Sequence, residues 1–598
     1  MTPAAPHPLR AAGSTATLMP REQAAALPAP DPDPWPMWAG LAQDLRSAEF
    51  TNDRIVELIG AEAVAALDRE QIVPGQSQLM AHLHAAAQAG HPPHPCAVLT
   101  GLFLLGVAVT GDQVDVALPQ IRTDGLRRLG LVVVDGDIVA PAVDLRPYQT
   151  QRHRTPPSRA TPHQTPPHQD TPSREDGDSA DSADGLGVAD VPDAVETSDL
   201  WVLSDLSAHQ VDGALPDEHV LGVGQASLTL ASITHRRRVP RALDIGTGCG
   251  IQLFHLLDHA DHVIGTDLST RALSFAHCNL LLNAAALDLD PEHLDERVEL
   301  RQGSLLEPVA GERFDLVVSN PPFVITPRTG SRRYTYRDGG RAGDELMAEL
   351  IDGLPGVLAP GGTAQMLGNW EITGGTEWSA RPRRWAEQAG LEAWFIQREE
   401  QDPAEYAETW LRDASTERDL EDYRRRFAEY LEDFASRDVG RIGFGLIWLR
   451  RPEEAGQSSS LHPLHRFEEL RQPIEQPAGL VLADTAARMH AVDTDAESVL
   501  NRQLVAAEDV TEERHQRFGA PDPEVILARQ GAGLRRVRPV SSAAAGVLGA
   551  ADGEFTVAQL ITAVTTLLDD GETDVEALSE SLRAEVLDLY VEGFLTAH

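Results

Sequence analysis

Between residues 199 and 452 short apolar runs alternate with amphipathic helical stretches, and this alternation leaves few folds open. The spacing predicts strands over 242–246, 263–267, 298–303, 314–319, 363–369, 393–398 and 442–449. Helices are expected over 251–259, 269–283, 343–358, 376–389 and much of 403–436. The reading is an α/β, Rossmann-like sheet, in which ligands bind beyond the carboxyl ends of the strands. Asn369 and Trp370, at the end of the fifth strand, are expected to point to that side.

The first strand runs into Asp244-Ile245-Gly246-Thr247-Gly248-Cys249-Gly250, followed by a helix. Gly246, Gly248 and Gly250 permit a tight turn and close approach of backbone to a ligand. The helix start behind them favours polar or anionic groups of a nucleotide-like molecule. On its own a G-x-G-x-G turn is explained equally well by structure. Asp267 closes the second strand about 20 residues on, where an acid reaches ribose hydroxyls in doubly wound folds. It competes with an N-cap role there, for which Ser269 is the better residue. Asp244 is placed to orient the turn or face a cationic group. Thr247 in the turn, Leu268 beside the acid and Ser304 after the third strand complete the expected cofactor contacts, with Asn320.

Asn320-Pro321-Pro322-Phe323 ends the fourth strand. An amide or exocyclic amine nitrogen is a poor nucleophile because its lone pair is delocalised. The Asn320 side-chain oxygen and the Pro321 carbonyl can each accept one N–H and draw such a nitrogen toward tetrahedral geometry. The prolines stiffen the pair of acceptors, and Phe323 can stack on the planar group.

Taken together, residues 199–452 resemble class I S-adenosylmethionine (SAM) dependent methyltransferases. The nearest branch holds the HemK-type release-factor glutamine methyltransferases and the small-domain rRNA guanine methyltransferases. The resemblance implies a seven-stranded sheet whose last strand, 442–449, is antiparallel. It implies SAM contacts at Asp244, Gly246, Gly248, Gly250 and Asp267, and target-nitrogen contacts at Asn320, Pro321 and Phe323. Phe323 departs from the tyrosine usual in the eukaryotic and archaeal HemK relatives and keeps only the stacking face. The flanking layout is similar to that of multidomain actinobacterial methyltransferases.

Composition narrows the chemistry further. The 598 residues carry 92 acids against 50 bases, a net charge of −42, and every base is arginine. Without lysine there is no P-loop lysine, Schiff base or Ser-Lys dyad. So acidic a chain also disfavours nonspecific coating of nucleic acid. Cys96, Cys249 and Cys278 lack paired spacing, so neither a disulfide framework nor a metal site is expected. With no membrane-length apolar run and no secretory signal, the expected location is the cytoplasm.

Five units are expected: a disordered tail over 1–34, a winged-helix-like domain over 35–148, a disordered linker over 149–198, the methyltransferase domain, and a C-terminal unit over 453–598. The last is read as opening with a polar connector and continuing mainly helical, with a second winged helix as one alternative. In the N-terminal domain, helices are expected over Trp38–Leu45, Asp53–Leu67, Gln76–Ala89 and Leu118–Leu129, then a hairpin turning at Asp135-Gly136. Arg122, Arg127 and Arg128 could touch phosphates there, although a solvated helix face is the commoner meaning of such charges. Arg328, Arg332, Arg333, Arg337 and Arg341, with Tyr334 and Tyr336, follow the Asn320 motif, and Arg236, Arg237 and Arg238 precede the first strand. Such clusters suit phosphates and bases, an acidic protein surface, or internal ion pairs. The stretch 403–436 is expected to cover part of the cleft, its aromatics mainly packing. The expected acceptor is a macromolecule, without membrane or metal: a glutamine amide in a protein such as a translation factor is slightly preferred. Adenine or guanine in rRNA, tRNA or DNA is the alternative, and a noncatalytic SAM- or nucleic-acid-binding scaffold is the third reading.

Overall fold

The computed structural model describes the whole chain except residues 1–17, 68, 70, 154–194, 213–214, 329–339, 414–418, 454–463, 570–573 and 598. At its centre is one mixed sheet. Its strands are β1 Val239–Ile245, β2 Ala260–Asp267, β3 Val298–Gln302, β4 Phe314–Ser319, β5 Leu358–Thr373, β6 Glu392–Gln401, β7 Val439–Arg450 and β8 His465–Glu469. Their spatial order is β3-β2-β1-β4-β5-β7-β6-β8. Strands β3, β2, β1, β4 and β5 run parallel, and β7 runs antiparallel between β5 and β6. The strand order reverses between β1 and β4, which opens a crevice at their carboxyl ends.

Both faces of this sheet are covered. Leu243, Ile245 and Val317 join one apolar core, while Ala242, Leu316 and Val318 join another. Successive side chains point to opposite faces, so a strand buried on both sides must be apolar throughout. The flanking helices include α1 Ile251–Leu256, α2 Thr270–Leu282, α3 Glu345–Gly353, α4 Ala380–Ala389, α5 Pro403–Asp413 and α6 Leu420–Ser436.

The expected seven strands gain an eighth. Strand β8 pairs in parallel with β6 inside the region read as a polar connector. Its sequence, His465-Arg466-Phe467-Glu468-Glu469, is polar because its charges are matched across space: Glu468 receives Arg466 and Arg536, and Arg466 also meets Glu592.

N-terminal to the sheet lie helices Trp35–Ser47, Asn52–Ile59, Ala61–Leu67 and Val73–Gln88. The second and third split at Gly60, whose φ of +84° breaks the expected single helix. Strand Val109–Thr110, helices Gly111–Ala117 and Arg122–Arg128, and strands Val132–Asp135 and Ile138–Pro141 follow. The last of these is the middle strand of three.

Two segments expected to lack order are placed. Residues 18–34 of the expected tail run against the central α/β unit. Arg271 donates to the Leu27 carbonyl and Ser274 to that of Pro30, so the domain supplies partners that composition alone does not show. At the expected linker, Asp144–His153 and Val195–Ser204 form an antiparallel ladder that takes in residues 149–153 and 195–198. Backbone pairing accepts polar side chains there, as Thr150 shows by its burial. Asn279 on α2 and Asn283, the C-cap one turn beyond it, dock this ladder by exchanging hydrogen bonds with the backbones of Leu203 and Trp201.

The C-terminal unit adds sheets that the helical reading did not include. Helices Gly479–Leu500, Ser542–Ala550, Val557–Leu567 and Val575–Glu592 accompany two three-stranded sheets. In Val525–Gln530 the residues Ile526, Ala528 and Gln530 are buried and alternate with more exposed neighbours, a period of two.

Candidate active site

A cavity of about 400 Å3 opens at the carboxyl ends of β1, β2 and β4. Its floor is the glycine turn. Gly246, Gly248 and Gly250 have φ of +72°, +55° and +92°, a region costly for any residue with a side chain. A Cβ on Gly248 would project into open space, so the floor is bare backbone facing the cavity. Asp244, Gly246, Thr247, Gly248, Asp267, Leu268, Ser304, Asn320 and Pro322 all line it. Gly250 lies beneath, where a Cβ would press on Ala276 at 3.3 Å.

The two acids hold the turn from different sides. The Thr247 hydroxyl donates to Asp244 Oδ2 at 2.6 Å. Burial pushes the Asp244 carboxyl up to about 7, although the Thr247 hydrogen bond opposes the shift and the Asp267 charge adds to it. Asp267 accepts the Gly248 N–H on Oδ2 at 2.9 Å and the Ser269 N–H on Oδ1 at 2.8 Å. Burial raises its pKa against those amides. Ser269 caps α2 by accepting the Ala272 N–H.

Around the Asn320 motif the chain is tightly held. The Ser319 hydroxyl donates to the Ile245 carbonyl at 2.8 Å. The Phe323 N–H donates to the Pro321 carbonyl at 2.7 Å, so one of the two expected acceptors already has one partner and keeps a second lone pair. Pro321 and Phe323 lie outside the cavity lining, and the Phe323 ring meets Trp410 edge-on at 6.5 Å.

The opposite wall carries no motif. Residues 218–227 supply Glu218, His219, Val220, Leu221, Gly222, Gly224, Ala226 and Ser227. Gln252 on α1 ties this wall to the floor by donating to the Ser227 carbonyl at 2.8 Å. Asp205 accepts the Val220 N–H at 2.9 Å and pairs with Arg271 of α2. Only the Gly222-Val223-Gly224 spacing ahead of a helix could have flagged the segment.

Several expected contacts turn inward. Trp370 is buried, not in the cleft: it stacks on Trp378 and lies over Gly443, where a Cβ would meet its indole at 2.3 Å. Asn369 is buried and donates to the Tyr406 hydroxyl. Arg236 contacts His255, and Arg237 donates to the Asp315 carbonyl, so that cluster is largely structural. Arg328 pairs with Asp433 at 3.1 Å; Arg341 lines the cavity while paired with Glu349 at 2.7 Å. Arg332, Arg333, Tyr334, Tyr336 and Arg337 lie outside the described residues.

The sheet order, the glycine floor and the acid ending β2 are those that the resemblance to SAM-dependent methyltransferases implies. Residues 222–372 match the methyltransferase small domain, and residues 47–142 match a domain of unknown function (DUF7059). The chain is similar to a release factor glutamine methyltransferase of Geobacter sulfurreducens, 36% identical over 140 residues that make up 21% of this chain and 45% of that protein. It is also similar to a ribosomal protein uL3 glutamine methyltransferase of Bradyrhizobium diazoefficiens, 31% identical over 159 residues, 25% of this chain and 46% of that protein. The chain thus spans about half the length of these relatives.

Proposed function

We propose that this protein transfers a methyl group from SAM to the side-chain amide nitrogen of a glutamine in a protein of the translation apparatus, in the cytoplasm. The observation that carries the reading is the position of Asn320 on the wall of the cavity floored by the glycine turn. A Cβ on Gly246 would come within 3.9 Å of the Asn320 carbonyl oxygen, so motif and floor adjoin.

The cavity fits the cofactor: it has an unobstructed backbone floor, an acid at its rim and a volume in the range of small-molecule sites. SAM supplies an electrophilic methyl on a sulfonium. In this reading Asp267 holds the ribose hydroxyls, Ser304 borders the base, and the 218–227 wall closes over the rest. Asn320 accepts one N–H of the target amide through its side-chain oxygen, and the free lone pair of the Pro321 carbonyl accepts the other. Positioning is the main catalytic contribution. The names of the relatives support a protein amide acceptor. The net charge of −42 also suits a basic protein better than a polyanion.

The test is transfer of labelled methyl from SAM into a lysate depleted of its own methylation, with Asn320→Ala as control. Protease-sensitive label recovered as N-methylglutamine is expected. Nuclease-sensitive label would overturn the acceptor class, and label unaffected by Asn320→Ala would overturn the site.

A further inference from the structure

We propose that Tyr406, on the helical hairpin of α5 and α6, is a positioning residue that fixes the downstream end of the Asn320–Phe323 loop; this rests on the methyltransferase reading above. The Ile325 N–H, two residues beyond Phe323, donates to the Tyr406 hydroxyl at 2.8 Å. Asn369 Nδ2 donates to the same oxygen at 2.9 Å. Ser319 of β4 is level with Met366 of β5, so Asn369, three residues on, stands beside the motif. One hydroxyl therefore joins the motif's exit, the neighbouring strand and the inserted hairpin.

Those bonds are held in a rigid setting. Tyr406 is fully buried and packs against Trp410, Phe434 and Phe444. Val324 and Ile325 belong to the same apolar cluster. Trp410, one turn along α5 from Tyr406, is the residue whose ring meets Phe323. The loop is thus pinned upstream by Ser319 on Ile245 and downstream by Tyr406 on Ile325. Its middle is stiffened by two prolines. The acceptors of Asn320 and Pro321 sit between the pins. Misplacing such a pair by about 1 Å costs roughly a hundredfold in rate. If the hairpin were only a cover, the aromatic ring at 406 would suffice and its hydroxyl would not matter.

The experiment compares the full-length protein with Tyr406→Phe, which keeps the ring and deletes the oxygen. Hydrogen–deuterium exchange is followed in the peptide 320–327, with 244–250 as an internal reference. SAM affinity is measured by calorimetry, and kcat and KM on purified release factor and ribosomal protein uL3. The expected result is faster exchange confined to 323–326 and SAM affinity within about twofold, with kcat lowered about tenfold or more at little-changed KM. Unchanged exchange, or faster exchange with unchanged kcat, would overturn the proposal. Should Tyr406→Phe not fold, Trp410→Ala at a half-buried position takes its place: it should lower kcat while the Ile325 amide stays protected, and an unaltered kcat would count against the positioning role. If the unsubstituted protein methylates neither acceptor, the acceptor reading fails by itself, and exchange in Tyr406→Phe still decides whether the pin exists.

Discussion

The Asn279 side chain on α2 reaches the carbonyl of Cys249, inside the glycine turn, and donates to it through Nδ2 at 2.8 Å. The same amide donates to the Leu203 carbonyl at 3.0 Å and accepts the Leu203 N–H at 2.8 Å. One buried carboxamide therefore serves both the cofactor floor and the strand that joins the N-terminal helices. Asn279→Ala would leave three buried backbone groups without a partner. A loss of about 3 kcal/mol in unfolding free energy is expected, because each such group costs about 1–3 kcal/mol and some will find water. Urea unfolding checks this, and SAM affinity should fall with it.

Asn320→Ala should lower the methyl-transfer rate about a hundredfold or more, the scale seen when one aimed polar partner is removed from a transition state. SAM affinity should change little. Single-turnover transfer alongside calorimetry would separate the two effects.

Asp267→Ala should weaken SAM roughly 10- to 150-fold, equivalent to one hydrogen bond to a charged group at about 1.5–3 kcal/mol. Asp267→Asn should fall between, since an amide oxygen can still accept one hydrogen bond. Equal affinities in all three proteins would remove the ribose assignment.

Asp244 gives a pH dependence with a definite sign. Its carboxyl lies at about 7 in the folded protein against an ordinary value of 3.8. The folded state thus holds this proton more firmly than the unfolded chain. Its contribution to stability is fully present below about pH 4 and is lost as pH rises toward 7. Asp244→Asn should flatten that fall in thermal unfolding of the free protein. Ionised Asp244 also favours a cation, so the affinity ratio of SAM to the uncharged thioether S-adenosylhomocysteine should rise as pH passes through about 7, and Asp244→Asn should abolish the rise.

The central strands were legible because burial on both faces leaves apolar runs such as Leu316-Val317-Val318, punctuated by Gly246 and by Asn320-Pro321. The cavity residues Asp244, Asp267, Ser304 and Asn320 sit at strand ends, where strand position alone locates them. What escaped depends on partners distant in sequence. Strand β8 reads as a polar connector because Arg536 and Glu592, which match its charges, come 68 and 126 residues after the residues they meet. Trp370 reads as a cleft residue because nothing near it in sequence shows that Gly443 leaves room for its ring. The 218–227 wall has no regular spacing of its own, and Asp205 and Gln252 hold it from elsewhere. In the same way, Arg236 and Arg237 look like a basic patch until His255 and Asp315 are brought to them.

The ladder of Asp144–His153 with Val195–Ser204 places His153 opposite Val195. The two ends that flank residues 154–194 are therefore adjacent. The N-terminal helices are riveted to the catalytic unit by ten paired positions and by Asn279 and Asn283, whatever the length of chain between. Closing a loop of doubled length costs only about 0.6 kcal/mol. Were the chain severed between these two ends, the ladder would still hold both pieces together as one particle.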